Sequence, residues 1–329
     1  MMLNVVTIGT SFITDLFLQA VEQLEGIRCT GMYTRTRDHA LALAQRHSVC
    51  AIYTDLDEML ASDADIVYIA SPNALHAEHA EKALRAGKHV ICEKPFTMTS
   101  AQARALFQLA EQKQRFLFEA IVTQHMPNYH AIRDLLPRIG KIKVVQSNFS
   151  QYSSRYAQYL SGSVPNVFSP QWGGGALADI GIYCIHFIVG LFNEPKEVHY
   201  FPNRGYNGID TSGCGILMYP DFIASFTCAK DSRSECITQI QGDAGCITLH
   251  GEASRCTRFV LQDAEGTIHE DLAQPQHDNV MVHELKEFTR ILTENDSAAY
   301  AALKQESLAV MRTFEALRAH GNVPWPNGD

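Results

Sequence analysis

The sequence predicts an α/β protein: an N-terminal Rossmann-type doubly wound parallel sheet, then a C-terminal α+β domain with a largely antiparallel, open sheet. Three observations predict it. Short apolar runs alternate with helical periods up to about residue 120. Beyond residue 123, strand-like stretches follow one another without intervening helices. At 329 residues the chain exceeds the usual size of one domain, so two are expected, at 1–122 and 123–329.

In the first half, strands are expected at 3–8, 27–33, 66–70, 89–91 and 116–120, with helices at 12–24, 37–47, 74–86 and 100–113. This alternation is the βαβ signature of a parallel sheet. Asn73 can cap the helix that runs to Ala86, and Gly87 can close it. The second half opens with a helix at 129–136 and a strand at 141–149, then a polar and aromatic loop at 151–172. A helix entered through Gly173, Gly174 and Gly175 follows. Strands at 195–201, 213–219, 222–228, 236–241, 245–250 and 256–262 read as an antiparallel sheet, closed by helices at 280–292 and 302–319.

Lys and Arg total 27 against 36 for Asp and Glu, a formal charge of −9, and no basic block is interleaved with aromatics. That composition argues against nucleic acid or an anionic membrane as the main partner. The first twelve residues lack a basic n-region and no later apolar run reads as long enough to span a membrane, so a cytoplasmic location is expected. The nine cysteines are odd in number and scattered without C-x-x-C, as reduced, mostly buried thiols would be. His76 and His79 in "HAEH" lie one turn apart, yet no set of carboxylates and cysteines completes a ligand sphere. No metal is expected.

The stretch "VVTIGTSFIT", residues 5–14, stands where a strand-to-helix phosphate loop would carry G-x-G-x-x-G. Gly9 keeps the tight turn, while Ser11 and Thr14 replace the later glycines with small residues. Thr10, Phe12 and Ile13 complete the candidate loop, and the Ser11 hydroxyl can donate to a phosphate or cap the helix. At the end of the second strand, "GMYTRTRD" offers Thr34, Arg35 and Arg37 with no carboxylate before Asp38. Guanidinium groups suit a 2′-phosphate, so the local chemistry favours NADP over NAD.

The stretch "YIASPNALHAEHAEKALRAGKHVICEKPFT", residues 68–97, carries a strand ending in Ser71-Pro72-Asn73, a helix containing His76, and a strand ending in Glu93-Lys94-Pro95. It closely resembles the glucose-fructose oxidoreductase / inositol dehydrogenase / rhizopine-catabolism (Gfo/Idh/MocA) family. Lys94 lies past the carboxyl end of a parallel strand, where open α/β sheets bind ligands. A second match, "GGGALADIGIYCIH" at 173–186, resembles the family helix that brings second-domain residues to the nicotinamide. At about 100° per residue, Asp179, Tyr183 and His186 fall within roughly 60° of one another on one helix face, a face able to meet Lys94 across the interdomain crevice.

The resemblance spans nearly the whole chain and implies an NAD(P)-dependent oxidoreductase. The first domain would bind the cofactor through Gly9 to Ile13, Thr34, Arg35, Ser71 to Asn73, His76, Glu93 and Lys94. Tyrosine at 183, where the commonest family pattern has histidine, is similar to the dihydrodiol dehydrogenase and glucose-fructose oxidoreductase branch. In "EAIVTQHMP", Gln124 stands where many members have arginine. Opening loops of the form G-T-S-x-I-T look like those of a bacterial sub-branch that includes NADP-linked inositol dehydrogenases.

Hydride transfer needs a group that exchanges the hydroxyl proton. Lys94 and Tyr183 are expected to share that proton exchange, because a free tyrosine titrates near ~10 and an adjacent ammonium favours the phenolate. Asp179 would hold the lysine or the substrate hydroxyl. His186 would bond another hydroxyl or orient Tyr183. Gln124 and, from the 151–172 loop, Arg155, Asn166 and Trp172 are candidate substrate contacts. That loop reads equally as pocket wall, surface loop or subunit arm. The substrate would be a polyol, aldose, inositol or trans-dihydrodiol. A non-catalytic dinucleotide sensor is the alternative from another class, and a glycosidase with tightly held NAD a third. The resemblance also implies a homodimer or homotetramer, through the second domain's sheet.

Overall fold

A computed structural model of the chain describes residues 2–270, 272–324 and 326. Two compact units emerge: residues 1–120 with 277–308, and residues 121–276 with 309–329.

In the first unit, strands and helices alternate as β1 (Leu3–Ile8), α1 (Phe12–Glu22), β2 (Ile27–Tyr33), α2 (Asp38–Arg46), β3 (Ala51–Tyr53), α3 (Leu56–Leu60), β4 (Ile66–Ile69), α4 (His76–Arg85), β5 (His89–Glu93), α5 (Ser100–Gln112) and β6 (Leu117–Ala120). The six strands form one sheet in the order β3-β2-β1-β4-β5-β6, parallel throughout. The order reverses between β1 and β4, and a crevice for ligands opens at such a point, outside the carboxyl ends of the strands. β4 is buried along its whole length, as a central strand covered on both faces must be. The α5 start is fixed by a capping box, in which Thr99 accepts from Gln102 N and the Gln102 side chain accepts from Thr99 N. The strand and helix at 51–60 were not foreseen; three strand residues are too few to show a period.

Residues 277–308, expected in the second domain, belong to the first unit. They carry α9 (Met281–Glu294) and the first half of α10 (Ser297–His320). Phe288 stacks on Phe118 at 4.5 Å, and Tyr300 meets Phe116 edge-on at 4.9 Å, so this late segment completes the core around β6.

The second unit contains α6 (Pro127–Leu135), β7 (Ile142–Ser150), α7 (Tyr156–Leu160), a π-helical turn (Leu177–Gly181) running into α8 (Ile182–Phe192), and β8 (Glu197–Arg204), β9 (Asp210–Met218), β10 (Ile223–Ala229), β11 (Ile237–Gly242), β12 (Gly245–His250), β13 (Arg258–Asp263) and β14 (Ile268–His269). The eight strands run β14-β13-β12-β11-β7-β10-β9-β8, antiparallel except for the β7–β10 pair. One face of β10, with Ala224, Phe226 and Cys228, is buried. The other face is open, with Ile223 50 %, Phe201 57 % and Met218 37 % exposed. Residues 170–192 do reach membrane-spanning length and hydropathy, contrary to expectation, but 72 % of the most apolar 18 residues of that stretch are buried inside the protein, as in a core helix.

Candidate active site

In the first unit the chemistry-bearing residues sit at the carboxyl ends of β1, β2, β4 and β5. Gly9 has φ +114°, and a Cβ there would lie 2.5 Å from the carbonyl oxygen of Ala70. Only glycine allows the β1 turn to pass so close to β4. Ser11 is the N-cap of α1, but its side chain makes no capping hydrogen bond, and both Ser11 and Phe12 are exposed. The first-turn N–H groups of α1 therefore end at an open helix N-terminus, and backbone with such a cradle fits a pyrophosphate. Thr10 and Ile13 are half-buried beside it. Thr14, in the place of the third glycine, is buried and points away from solvent.

At the end of β2, Thr34 is turned inward, its N–H donating to Tyr53 O and its hydroxyl to Thr36 O. Arg35 is exposed, while Arg37 donates to Ile52 O at 3.0 Å. An exposed guanidinium in a turn lacking a carboxylate fits the phosphate of NADP.

At the ends of β4 and β5 the structure gathers Ser71, Pro72, Asn73, His76, Glu93 and Lys94. The Lys94–Pro95 peptide is cis. His76 is buried, and its two ring nitrogens lie 2.9 Å from the carbonyls of Pro95 and Ser71. His76 thus braces the two strand ends together, where the sequence suggested a cofactor contact. Burial pushes its pKa down to about 4 against the opposing pull of the two carbonyls. Glu93, also expected at the cofactor, turns inward and accepts a 2.6 Å hydrogen bond from Tyr68. Burial raises Glu93 to about 7, with Tyr68 and Lys94 working the other way.

In the second unit the π-turn alters the face that regular helical spacing assigned to Asp179, Tyr183 and His186. Extra residues in the wider turn rotate Asp179 relative to α8. Asp179 and Tyr183 are half-buried, whereas His186 is fully buried and bonds Gln124 through Nδ1 at 2.8 Å. Gln124 is itself buried, so these two expected substrate contacts hold each other. The turn is anchored by Asp210, whose carboxylate accepts from Leu177 N at 2.7 Å and from Tyr200 OH at 2.9 Å. Gly175, at φ +110°, leaves room for that carboxylate, which any Cβ would strike. Burial raises Asp210 to about 6.

Asp179 accepts from Lys230, a residue the sequence reading missed. The signal was present: 224, 226 and 228 are the inward positions of β10, and Lys230 is next in that row. The 151–172 loop is pinned within its own unit. Tyr159 stacks on Tyr206 at 4.4 Å and on Phe168 at 4.8 Å, and its hydroxyl donates to Asn207. Arg155 and Asn166 are exposed on this loop and Trp172 is half-buried. No group of three or more His, Cys, Asp or Glu able to hold a metal occurs among the described residues. A groove of about 460 Å³ lies between α4 and α5, lined by Glu78, Glu81, Arg85 and Gln102 among others.

A doubly wound parallel sheet with a glycine-bounded helix N-terminus at its first turn, joined to a sheet-bearing second unit, defines the class of two-domain NAD(P)-binding oxidoreductases. Residues 3–121 match the oxidoreductase family with an NAD-binding Rossmann fold, GFO_IDH_MocA, and residues 129–248 match the GFO/IDH/MocA C-terminal domain. The chain belongs to the Gfo/Idh/MocA family and is an oxidoreductase. It is 35 % identical over 329 residues to the scyllo-inositol 2-dehydrogenase (NADP(+)) IolU of Bacillus subtilis, covering 99 % of each chain. It is 38 % identical over 295 residues to the oxidoreductase YgjR of Escherichia coli, covering 89 % of each. Among solved structures, the 3-ketoreductase KijD10 of Actinomadura kijaniata, in complex with NADP and TDP-benzene, superposes with a TM-score of 0.86 at 24 % identity, over 97 % of this chain and 98 % of that one.

Proposed function

We propose that this oxidoreductase is an NADP-dependent dehydrogenase acting on a hydroxyl-bearing carbon of a polyol, aldose, inositol or trans-dihydrodiol. One observation carries the reading: in an otherwise buried apolar helix, Asp179 and Tyr183 are the polar side chains left partly open. Support comes from the end-to-end match to an enzyme named for NADP(+) and scyllo-inositol.

The chemistry a bound nicotinamide would supply is a hydride acceptor or donor. The protein's own part is to hold the substrate and move a proton. Gly9 to Ile13 would hold the pyrophosphate, Thr34 and Arg35 the adenosine ribose and its phosphate, and Ser71 to Asn73 the nicotinamide side. Lys94 binds the reacting hydroxyl oxygen. Tyr183 would take the hydroxyl proton when the carbinol carbon is oxidised and return it in the reverse direction. Asp179 accepts a second substrate hydroxyl, which suits a polyhydroxylated ligand better than a simple alcohol. The exposed apolar residues of the open sheet face support a homodimer or homotetramer, and a cytoplasmic location fits a dehydrogenase that draws on the cellular NADP pool.

The test follows absorbance at 340 nm with NADP⁺ or NAD⁺ against inositols, aldoses and trans-diols. We expect one class to reduce NADP⁺, and Tyr183→Phe to lower kcat about 1,000-fold. Tight NADP binding with no turnover of any class would favour the sensor. Full turnover by Tyr183→Phe would remove the phenol from the reaction.

A further inference from the structure

We propose that Lys230 is a positioning residue for the reaction, holding Asp179 ionised and fixed in direction; this rests on the role given to Asp179 above. Lys230 follows the last residue of β10. It continues the inward row Ala224, Phe226, Cys228, so its side chain enters the face on which the π-turn packs. The approach there is close: a Cβ on Gly181 would lie 3.0 Å from the Cys228 sulfur. Two residues before Gly181, Asp179 receives the Lys230 ammonium.

The pair is asymmetric. The lysine side chain is 6 % exposed and the aspartate 33 %. A buried ammonium is costly without a partner, so the lysine is held to the carboxylate. The aspartate stays within reach of a ligand and the lysine does not. Lys230 therefore acts through Asp179.

The Lys230 main chain fixes the geometry further. Its N–H donates to Thr211 O at 2.8 Å, at the start of β9, and its carbonyl accepts from Ser153 N at 2.9 Å, at the start of the 151–172 loop. The next residue, Asp231, accepts from the hydroxyls of Thr211 and Ser212. One residue thus ties together the π-turn, the mouth of the sheet and the root of the aromatic loop.

Two readouts test this. In the protein without substrate, the Asp179 carboxyl is titrated by ¹³C NMR in wild type and Lys230→Met. Loss of the ammonium is expected to raise the Asp179 midpoint by about one pH unit or more. In turnover, Lys230→Met is expected to lower kcat about 100-fold with a smaller change in KM, and to move the acid limb of the pH profile upward. Lys230→Arg, which keeps the charge, should recover part of the loss and serves if the methionine variant folds poorly. The double variant Lys230→Met/Asp179→Asn should be no slower than Asp179→Asn alone.

An unmoved Asp179 midpoint, or losses that multiply in the double variant, would overturn the proposal. So would a Lys230→Met enzyme with a lower Tm but unchanged kcat and pH profile. Wild-type turnover by Asp179→Asn alongside a shifted midpoint in Lys230→Met would instead remove Asp179 from the reaction, leaving the pair as a structural tie.

Discussion

At the carboxyl ends of β1, β4 and β5, the first unit shapes its site with main chain: the Gly9 turn under Ala70, the open first turn of α1, and two carbonyls bridged by His76. The second unit shapes its site with side chains drawn from distant segments: Asp179 with Lys230, Gln124 with His186, Asp210 with Tyr200. A binding surface made of backbone suits a ligand common to every member of a family, since it varies little with sequence. A surface made of side-chain pairs can be altered one residue at a time, which suits a substrate that differs between members.

The contrast can be broken by substitution. The largest effect is expected at Gly9→Ala, where a positive φ and the 2.5 Å approach to Ala70 O both oppose a methyl group. Stability in urea should fall by about 3 kcal/mol or more, with loss of NAD(P) affinity by calorimetry. A tolerated alanine would show that the turn is not set by its backbone.

The brace at His76 should show in the pH dependence of stability. Its pKa lies near 4 in the folded protein, below the ordinary value of about 6.5, so the unfolded chain binds the proton more readily. Its contribution is complete above pH 6.5 and is lost as pH falls towards 4, amounting to about 2 kcal/mol by pH 5. Denaturation of wild type and His76→Gln across pH 4–8 should therefore show the difference between them narrowing on acidification. Glu93, raised to about 7, works oppositely, stabilising at low pH and losing that contribution as pH rises through 7. It is common to both proteins and cancels in the difference.

The smallest effect belongs to the second unit. Gln124→Leu leaves a buried His186 nitrogen without its Gln124 partner and should cost about 1.5 kcal/mol in urea denaturation. A loss near zero would mean that the pair does not organise the side-chain half of the site.

The same contrast explains what was legible in the sequence. Gly9, Ser71-Pro72-Asn73 and Glu93-Lys94-Pro95 are local motifs, because a backbone turn is encoded by the residues that make it. Asp179 and Tyr183 could be placed on one helix, but the π-turn could not, since its extra residues leave no mark on apolar spacing. Lys230 lay in plain view as the continuation of an apolar row, and its partner lies 51 residues away. The bonds of His76 to the Pro95 and Ser71 carbonyls and of Glu93 to Tyr68 were not legible, because sequence gives position along a strand end and not the direction of a side chain. The packing of 277–308 with the first unit was invisible for the same reason: stacking of Phe288 on Phe118 is written in no local pattern.

That late segment sets an order of events during synthesis. Once residues 1–120 have emerged from the ribosome, every strand of the parallel sheet is free but not the helix that covers Phe118. The nascent first unit must wait, with an apolar flank uncovered, while the whole second sheet is translated. Only when residues 277–308 emerge can it close, so the unit that starts first is among the last to finish, and its exposed interval is the natural point of engagement for a chaperone.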